Sequence, residues 1–353
     1  MTDSHHNAHR PPAADSAGDL AHLLEPALIA ACGERLSNIQ WFRSAWQAGG
    51  ASTGFAKFTQ PDTHVVEVVV KLPVGPNEHR WTSALGSIRG VEGGRGGGAP
   101  NNGHPDEAEG PLCHCTPRVL ASGIELGGYD LAWLVVEKLH GTPLNTCLDE
   151  HAVRDLLTAA ADYYSAAAKA RPVADADPPP SKDWESIIAR GRDAIHKHGI
   201  NEEQRWNQAI KAVQRILPRL IERWLARPIN TWCHGDLHFG NALRRQGVSP
   251  GSGCVLIDLA LIHPGHWVED AVYLERLYWA KPELLCGIKP VSFLAKLLRE
   301  RGLSDHEDYA MLANIRRVLM AACVPAFLLH EGHPRYVHAA LEILERTLPM
   351  VGK

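Results

Sequence analysis

Eight residues in the second half of the chain combine the side chains of an acid–base and cation site: His234-Gly235-Asp236-Leu237-His238-Phe239-Gly240-Asn241. An apolar stretch follows and ends in an acid, Val255-Leu256-Ile257-Asp258. Asp236 and Asn241 are five positions apart, and Asn241 and Asp258 seventeen. These types suit phosphoryl transfer, which needs a carboxylate at the attacking hydroxyl, oxygen ligands for Mg²⁺ and cations on the phosphates. An Asp on a tight loop can orient a hydroxyl and accept its proton. An Asn amide oxygen and a second Asp carboxylate are hard ligands of the kind Mg²⁺ prefers.

The cationic part lies upstream. Lys71 ends the β-branched run VVVK and can reach the α- and β-phosphates of a nucleotide. Before it, Gly49-Gly50-Ala51-Ser52-Thr53-Gly54 forms a loop of little side-chain bulk. Its Ser52 and Thr53 hydroxyls and its backbone N–H groups could contact phosphates. Main-chain groups around Glu137, Lys138 and Leu139 could meet a purine edge. His234 is expected to bond to the loop backbone rather than shuttle protons. Two other readings stay open: a metal-dependent hydrolase built on His234, Asp236 and His238 with Asp258, and a catalytically dead nucleotide-binding protein.

HGDLHFGN followed by VLID resembles the aminoglycoside phosphotransferase family of small-molecule kinases, over roughly residues 36–345. The resemblance implies an α+β, two-lobe protein-kinase-like fold, with a small β-rich N-lobe and a larger, mostly helical C-lobe. It implies Asp236 as catalytic base, Asn241 and Asp258 as Mg²⁺ ligands, and Lys71 as the phosphate-binding lysine. Glu78 would be the lysine's helix partner, with Glu92 as the alternative. Residues 137–139 would hold adenine, and Asp270 would brace the catalytic loop. Pro264-Gly265-His266 stands where the family more usually has Gly-Asp-Pro. The implied partners are ATP, Mg²⁺ and a small-molecule acceptor, whether sugar, amino alcohol or aminoglycoside.

Elements that could position these residues are readable in the patterning. Residues 1–17 read as a disordered tail. A helix is expected over 20–36, with Pro26 near its start. Strands follow near Trp41, at 55–59 and at 65–72, then a helical stretch at 77–88. Residues 86–110 include nine glycines in 25 positions and read as a flexible insertion. Strands resume at 118–122 and 130–139, completing an N-lobe over 18–138. The C-lobe, 139–353, carries helices at 152–169, 184–198, 202–225, 268–280, 291–301, 305–329 and 334–348 around a β interlude at 231–257.

Composition narrows the function classes. With 36 Lys and Arg against 40 Asp and Glu the net charge is −4, which gives no basic footprint for nucleic acid. The 20 His and 8 Cys are scattered, and no secretory leader is apparent. The longest apolar run, residues 318–329, is short for a membrane span, which needs about 20 residues. The expectation is a cytoplasmic, soluble protein with reduced thiols. Cys113-His114-Cys115 near His104 reads as a loop rather than a zinc site.

Overall fold

The computed structural model describes residues 16–42, 51–87, 114–177, 179, 181–303 and 308–352. Residues 1–15 of the expected tail, Gly49, Gly50, Glu92, most of the glycine-rich insertion, His104 and Cys113 lie outside them, while residues 16 and 17 open a helix instead of continuing a tail. The chain divides into two compact units, residues 1–79 with 119–138, and residues 80–118 with 139–353. Residues 80–118 thus group with the helical unit, although the β-rich lobe was expected to run unbroken to 138.

The first unit opens with α1 (Ser16–Ala31) and continues through β1 (Leu36–Phe42), β2 (Ser52–Thr59) and β3 (Val65–Leu72). Helix α2 (Pro76–Gly86) crosses the division, and β4 (Val119–Gly123) and β5 (Trp133–Glu137) complete the sheet. Its order is β1-β2-β3-β5-β4, antiparallel throughout. Helix α1 starts earlier than the expected position 20 and holds Pro26 in its interior. It ends before position 36 because the backbone reverses through Gly33 and Glu34, both at positive φ.

Strand pleating gives the sheet two faces. Leu24 and Leu28 of α1 cover Phe58, Val68, Val70, Leu72, Trp133 and Val135 on one. Val69, Leu134 and Val136 share the other with Val74 and Val119. Burial of both faces accounts for the apolar run WLVVE, whereas β3 alternates buried Val68, Val70 and Leu72 with half-buried Val69 and Lys71.

The second unit is helical: α3 (Glu150–Ala170), α4 (Trp184–His198), α5 (Glu203–Leu225), α6 (Val268–Leu277), α7 (Pro290–Glu300), α8 (Tyr309–Cys323), α9 (Leu328–Glu331) and α10 (Pro334–Val351). Four short strands interrupt it: β6 (Thr231–Cys233), β7 (Ala242–Leu243), β8 (Val255–Leu256) and β9 (His263–Gly265). One core joins α3, α6 and α7 to Trp81, Leu85, Leu237 and Phe239, and another joins α4, α5, α8 and α10. The expected helix over 305–329 is broken. A 3₁₀ turn at Val324–Phe327 separates α8 from α9, because Pro325 has no N–H to donate and its ring opposes the carbonyl one turn back.

Among the described residues, one apolar stretch, Tyr309–Phe327, is long enough to cross a membrane. It contains the core residues Ile315, Val318, Leu319 and Ala322, all fully buried.

Candidate active site

The loop from His234 to Asn241 hangs between short strands. β6 pairs with β9, Thr231 opposite Gly265 and Cys233 opposite His263. β7 pairs with β8, Ala242 opposite Leu256. The turn out of β6 requires glycine. Gly235 sits at φ +83°, and a Cβ there would lie 2.2 Å from the Leu261 carbonyl oxygen.

Asp270, near the start of α6, pins this turn. Its Oδ2 accepts from the His234 N–H at 2.7 Å and its Oδ1 from the Gly235 N–H at 2.9 Å. The Tyr164 hydroxyl of α3 donates to Oδ2 at 2.8 Å. Three donors on a carboxylate only 1 % exposed keep it satisfied without water.

His234 is buried with both ring nitrogens engaged. Nε2 lies 3.1 Å from the Ile257 carbonyl, and Nδ1 accepts from the Asp236 N–H at 3.3 Å. One donor and one acceptor define the neutral ring. Burial, the largest influence, holds its pKa below the ordinary value against the pull of nearby acids. The ring therefore ties Asp236 to the strand that delivers Asp258, and no nitrogen is left to ligate a metal.

Asp236 is half-buried, and its carboxylate is oriented from several sides. The Tyr273 hydroxyl donates to Oδ1 at 2.5 Å. The Asn241 amide nitrogen donates to Oδ2 at 3.0 Å and to the Asp236 carbonyl at 3.1 Å. His238 Nε2 lies 3.4 Å from Oδ2. Burial alone would raise this pKa. Hydrogen bonds from His238, Tyr273 and Asn241 outweigh it and bring the pKa down to about 2.

These contacts also settle which end of Asn241 can bind a cation, since its amide nitrogen is committed and Oδ1 remains. The Ile257 N–H donates to the Asn241 carbonyl at 2.9 Å, linking the two candidate ligand residues through one backbone unit. Asp258 follows in the left-handed conformation at φ +62° and is exposed. An amide oxygen and a carboxylate form a hard donor set that fits Mg²⁺. Cys233, His263 and Glu269 bring ligand atoms within 4.8 Å of one another. They fit a metal poorly, because Glu269 already pairs with Arg227 at 2.9 Å. The buried Cys233 thiol is held well above its ordinary pKa and donates to the His266 carbonyl.

In the first unit, Lys71 Nζ lies 2.5 Å from Glu78 Oε1, near the start of α2. Lys71 pairs with Thr53 across β2 and β3 and with Leu134 across β3 and β5, so the three share one sheet face. Ser52 pairs with Leu72 and is buried on the opposite face, so its hydroxyl does not join the lysine. Glu137 ends β5, and the Lys138 N–H donates to the Glu67 carbonyl at 3.1 Å. Leu139 falls at the start of the second unit's main segment.

Residues 107–338 match the phosphotransferase enzyme family. The chain belongs to this family. The matched span contains Asp236, Asn241, Asp258 and Asp270 and excludes Lys71 and Glu78. The phosphotransferase is thus a kinase whose acceptor is an alcohol group of a small molecule, with the two-lobe protein-kinase-like fold. No curated protein matches the chain. Among solved structures, a protein from Ralstonia eutropha JMP134 with the provisional description aminoglycoside phosphotransferase aligns at 12% identity and TM-score 0.53, covering 93% of this chain and 98% of that one. Spectinomycin phosphotransferase, solved with ADP and spectinomycin, aligns at 12% identity and TM-score 0.49 over 94% and 97% of the two chains. An aminoglycoside phosphotransferase from Alicyclobacillus acidocaldarius aligns at 15% identity and TM-score 0.47 over 89% and 91%.

Several residues of the phosphotransferase's loop machinery escape the sequence reading. Tyr273 lies three positions after Asp270 on α6, hence on the same helix face; that spacing was the available signal. Asp155 of α3 is buried and accepts from Arg244 Nε at 3.0 Å and from the Gly251 and Gly253 N–H groups at 3.1 and 3.0 Å. It thereby holds both ends of the β7–β8 connection, and nothing in its local sequence marks it. Cys115 carries a disulfide bond, which departs from the reduced thiols expected throughout.

Proposed function

We propose that this phosphotransferase moves the γ-phosphate of ATP to a hydroxyl of a small polar molecule. The hydroxyl oxygen bonds to the γ-phosphorus as the bond to the ADP oxygen breaks, and the hydroxyl proton passes to Asp236. Asn241 Oδ1 and the Asp258 carboxylate would hold Mg²⁺, which when bound offsets charge on the phosphate oxygens. Lys71, steadied by Glu78, would contact the α- and β-phosphates. Gly49 and Gly50, with Ser52 and Thr53 at the start of β2, would supply backbone N–H groups and the Thr53 hydroxyl. Main-chain groups of Glu137 and Leu139 would meet adenine.

The arrangement around Asp236 carries the reading. Tyr273 and Asn241 fix its carboxylate as an acceptor, and the same Asn241 turns its amide oxygen to the cation side. With a pKa near 2 the carboxylate is a weak base toward a free alcohol. It acts mainly by orienting the hydroxyl and takes the proton as the new P–O bond makes that oxygen acidic.

Acceptor-dependent ADP release tests this. Asp236→Asn should lower kcat roughly 10²–10⁴-fold, the range general-base catalysis supplies. Asp258→Ala should abolish Mg²⁺-dependent turnover. Wild-type turnover in both variants would sink the proposal. Nothing in the site favours the hydrolase reading, because both nitrogens of His234 are spent on backbone groups.

A further inference from the structure

A cavity of about 400 Å³ opens in the helical unit and is lined in part by Gly235 and Tyr273. Tyr273 is the residue whose hydroxyl donates to Asp236 at 2.5 Å, so the cavity lies one side chain away from that carboxylate. Its size lies within the usual range for small-molecule sites, about 300–1,000 Å³.

The charged lining is mainly cationic: Lys182, Arg227, Arg276 and Arg316 against Glu269 and Asp270. Both acids keep their charge, and Glu269 offsets part of the arginine pair it faces, so the four cations exceed the acids by two. Asp270 is filled by two backbone N–H groups and Tyr164. Glu269 is buried against Arg227 at 2.9 Å and Arg316 at 3.9 Å. The Arg316 guanidinium is wedged beside the Trp184 and Trp224 rings, 5.6 and 5.0 Å from their centroids, and its Nε has no hydrogen-bond partner. Burial and, next, the charge of Arg316 pull the Lys182 pKa below the ordinary value. The nearby Glu275 does not offset this excess, because both its oxygens face Arg317 at 2.7 and 3.0 Å.

A polycationic acceptor entering this space would meet like charge, a mismatch worth several kcal/mol at an interface. An anion would meet Lys182, Arg227, Arg276 and Arg316 in the lining. We propose that the acceptor is an anionic hydroxy compound, a sugar or polyol skeleton bearing a carboxylate or phosphate. Its charge rests at Lys182 and the Arg227–Arg316 side while a hydroxyl is presented to Asp236. This rests on the phosphotransferase reading above and narrows its acceptor class.

The test is ADP release with Mg·ATP over matched acceptors: galactose against galacturonate, ribose against ribose 5-phosphate, and kanamycin as the cationic arm. The anionic member of at least one pair should show kcat/KM tenfold or more above its neutral partner and above kanamycin. The pair that responds separates carboxylate from phosphate. Lys182→Glu should raise KM for the anionic acceptor about tenfold more than for the neutral one, and Lys182→Arg should restore it. Thermal shifts with the same compounds plus Mg·ADP give a readout without turnover, and anionic compounds should raise the melting temperature most. Equal or better use of neutral or cationic compounds overturns the inference and leaves phosphotransfer standing. No melting shift from any anionic compound, when Mg·ATP itself stabilises the chain, also overturns it. If Mg·ATP neither stabilises the chain nor is turned over, the phosphotransferase reading falls, and the acceptor inference with it.

Discussion

As the proposed base, Asp236 would serve two demands that pull apart. It must stay ionised beside a phosphate, and it must still accept a proton once bond formation acidifies the hydroxyl. Tyr273 and His238 meet the first demand by hydrogen-bonding the anion. Their removal has a signed consequence. The active form is the carboxylate, so activity on the acid side falls as pH drops through the folded-state pKa, now about 2. Tyr273→Phe deletes the 2.5 Å donor, raises that pKa and moves the acid limb to higher pH. It should also cost roughly tenfold in kcat, since one hydrogen bond to a charged group is worth about 1.5–3 kcal/mol. A kcat profile carried from pH 8 down to pH 3 with both quantities unchanged would show that Tyr273 does not position the carboxylate. Asp236 stands out in the sequence because Asp, Asn and Asp at that spacing suit phosphoryl transfer. Tyr273 does not, because a tyrosine on an amphipathic helix is indistinguishable from core until the fold shows which face meets the loop.

At the scale of elements, α6 is the brace of the site. Two consecutive acids near its start do different work: Glu269 faces the arginines and Asp270 the loop backbone. Asp270→Asn keeps the size but puts an NH₂ where one of two backbone N–H groups must be accepted. The loop then loses a bond and gains a clash of donors, and kcat should fall on the order of 10²-fold while Mg·ATP binding changes little. Equal losses in binding and kcat would instead indicate general unfolding of the loop. Glu269 links the same helix to pH. Burial would raise its pKa, but His263, Arg316 and Arg227 hold it down to about 2 against an ordinary 4.5. A depressed folded-state pKa means stability that is fully present above the unfolded value near 4.5 and is lost as pH falls through about 2. The shift corresponds to on the order of 3 kcal/mol. Urea unfolding should therefore show wild type losing stability between pH 5 and 3 more steeply than Glu269→Gln, which starts lower because Arg227 is left buried without its anion. Parallel slopes would remove Glu269 from the account. Helices and strands were mostly readable from periodicity and β-branching. Pro26 and Pro325 show the limit, since one was absorbed inside α1 and the other broke α8 from α9. Local sequence does not say which, because the outcome depends on how tertiary packing accommodates the lost donor and the ring.

Over the whole molecule, motif order conveyed a two-part organisation, and the chain divides into two compact units. Trp81 packs in the helical unit against Trp232, with ring centroids 4.6 Å apart, and that contact spans about 150 positions that no sequence window sees. The candidate nucleotide machinery is thus drawn from distant stretches: Lys71 and Glu78 in one unit, Asn241 and Asp258 in the other. If these residues serve one nucleotide, Mg·ATP should stabilise the folded chain as a whole. At a hundred times the dissociation constant, mass action supplies about 2.7 kcal/mol. For units of this size each kcal/mol raises the melting temperature by about 2–4 °C, so a shift of roughly 5–10 °C is expected by differential scanning fluorimetry. Lys71→Ala and Asp258→Ala should each lose most of it, and the Asp258 variant should also lose its dependence on Mg²⁺. Tyr273→Phe, which removes the hydrogen bond to Asp236 Oδ1, should keep it. A full shift in both Lys71→Ala and Asp258→Ala would mean that the nucleotide is held elsewhere, and the assignment of Asn241 and Asp258 as cation ligands would have to be abandoned.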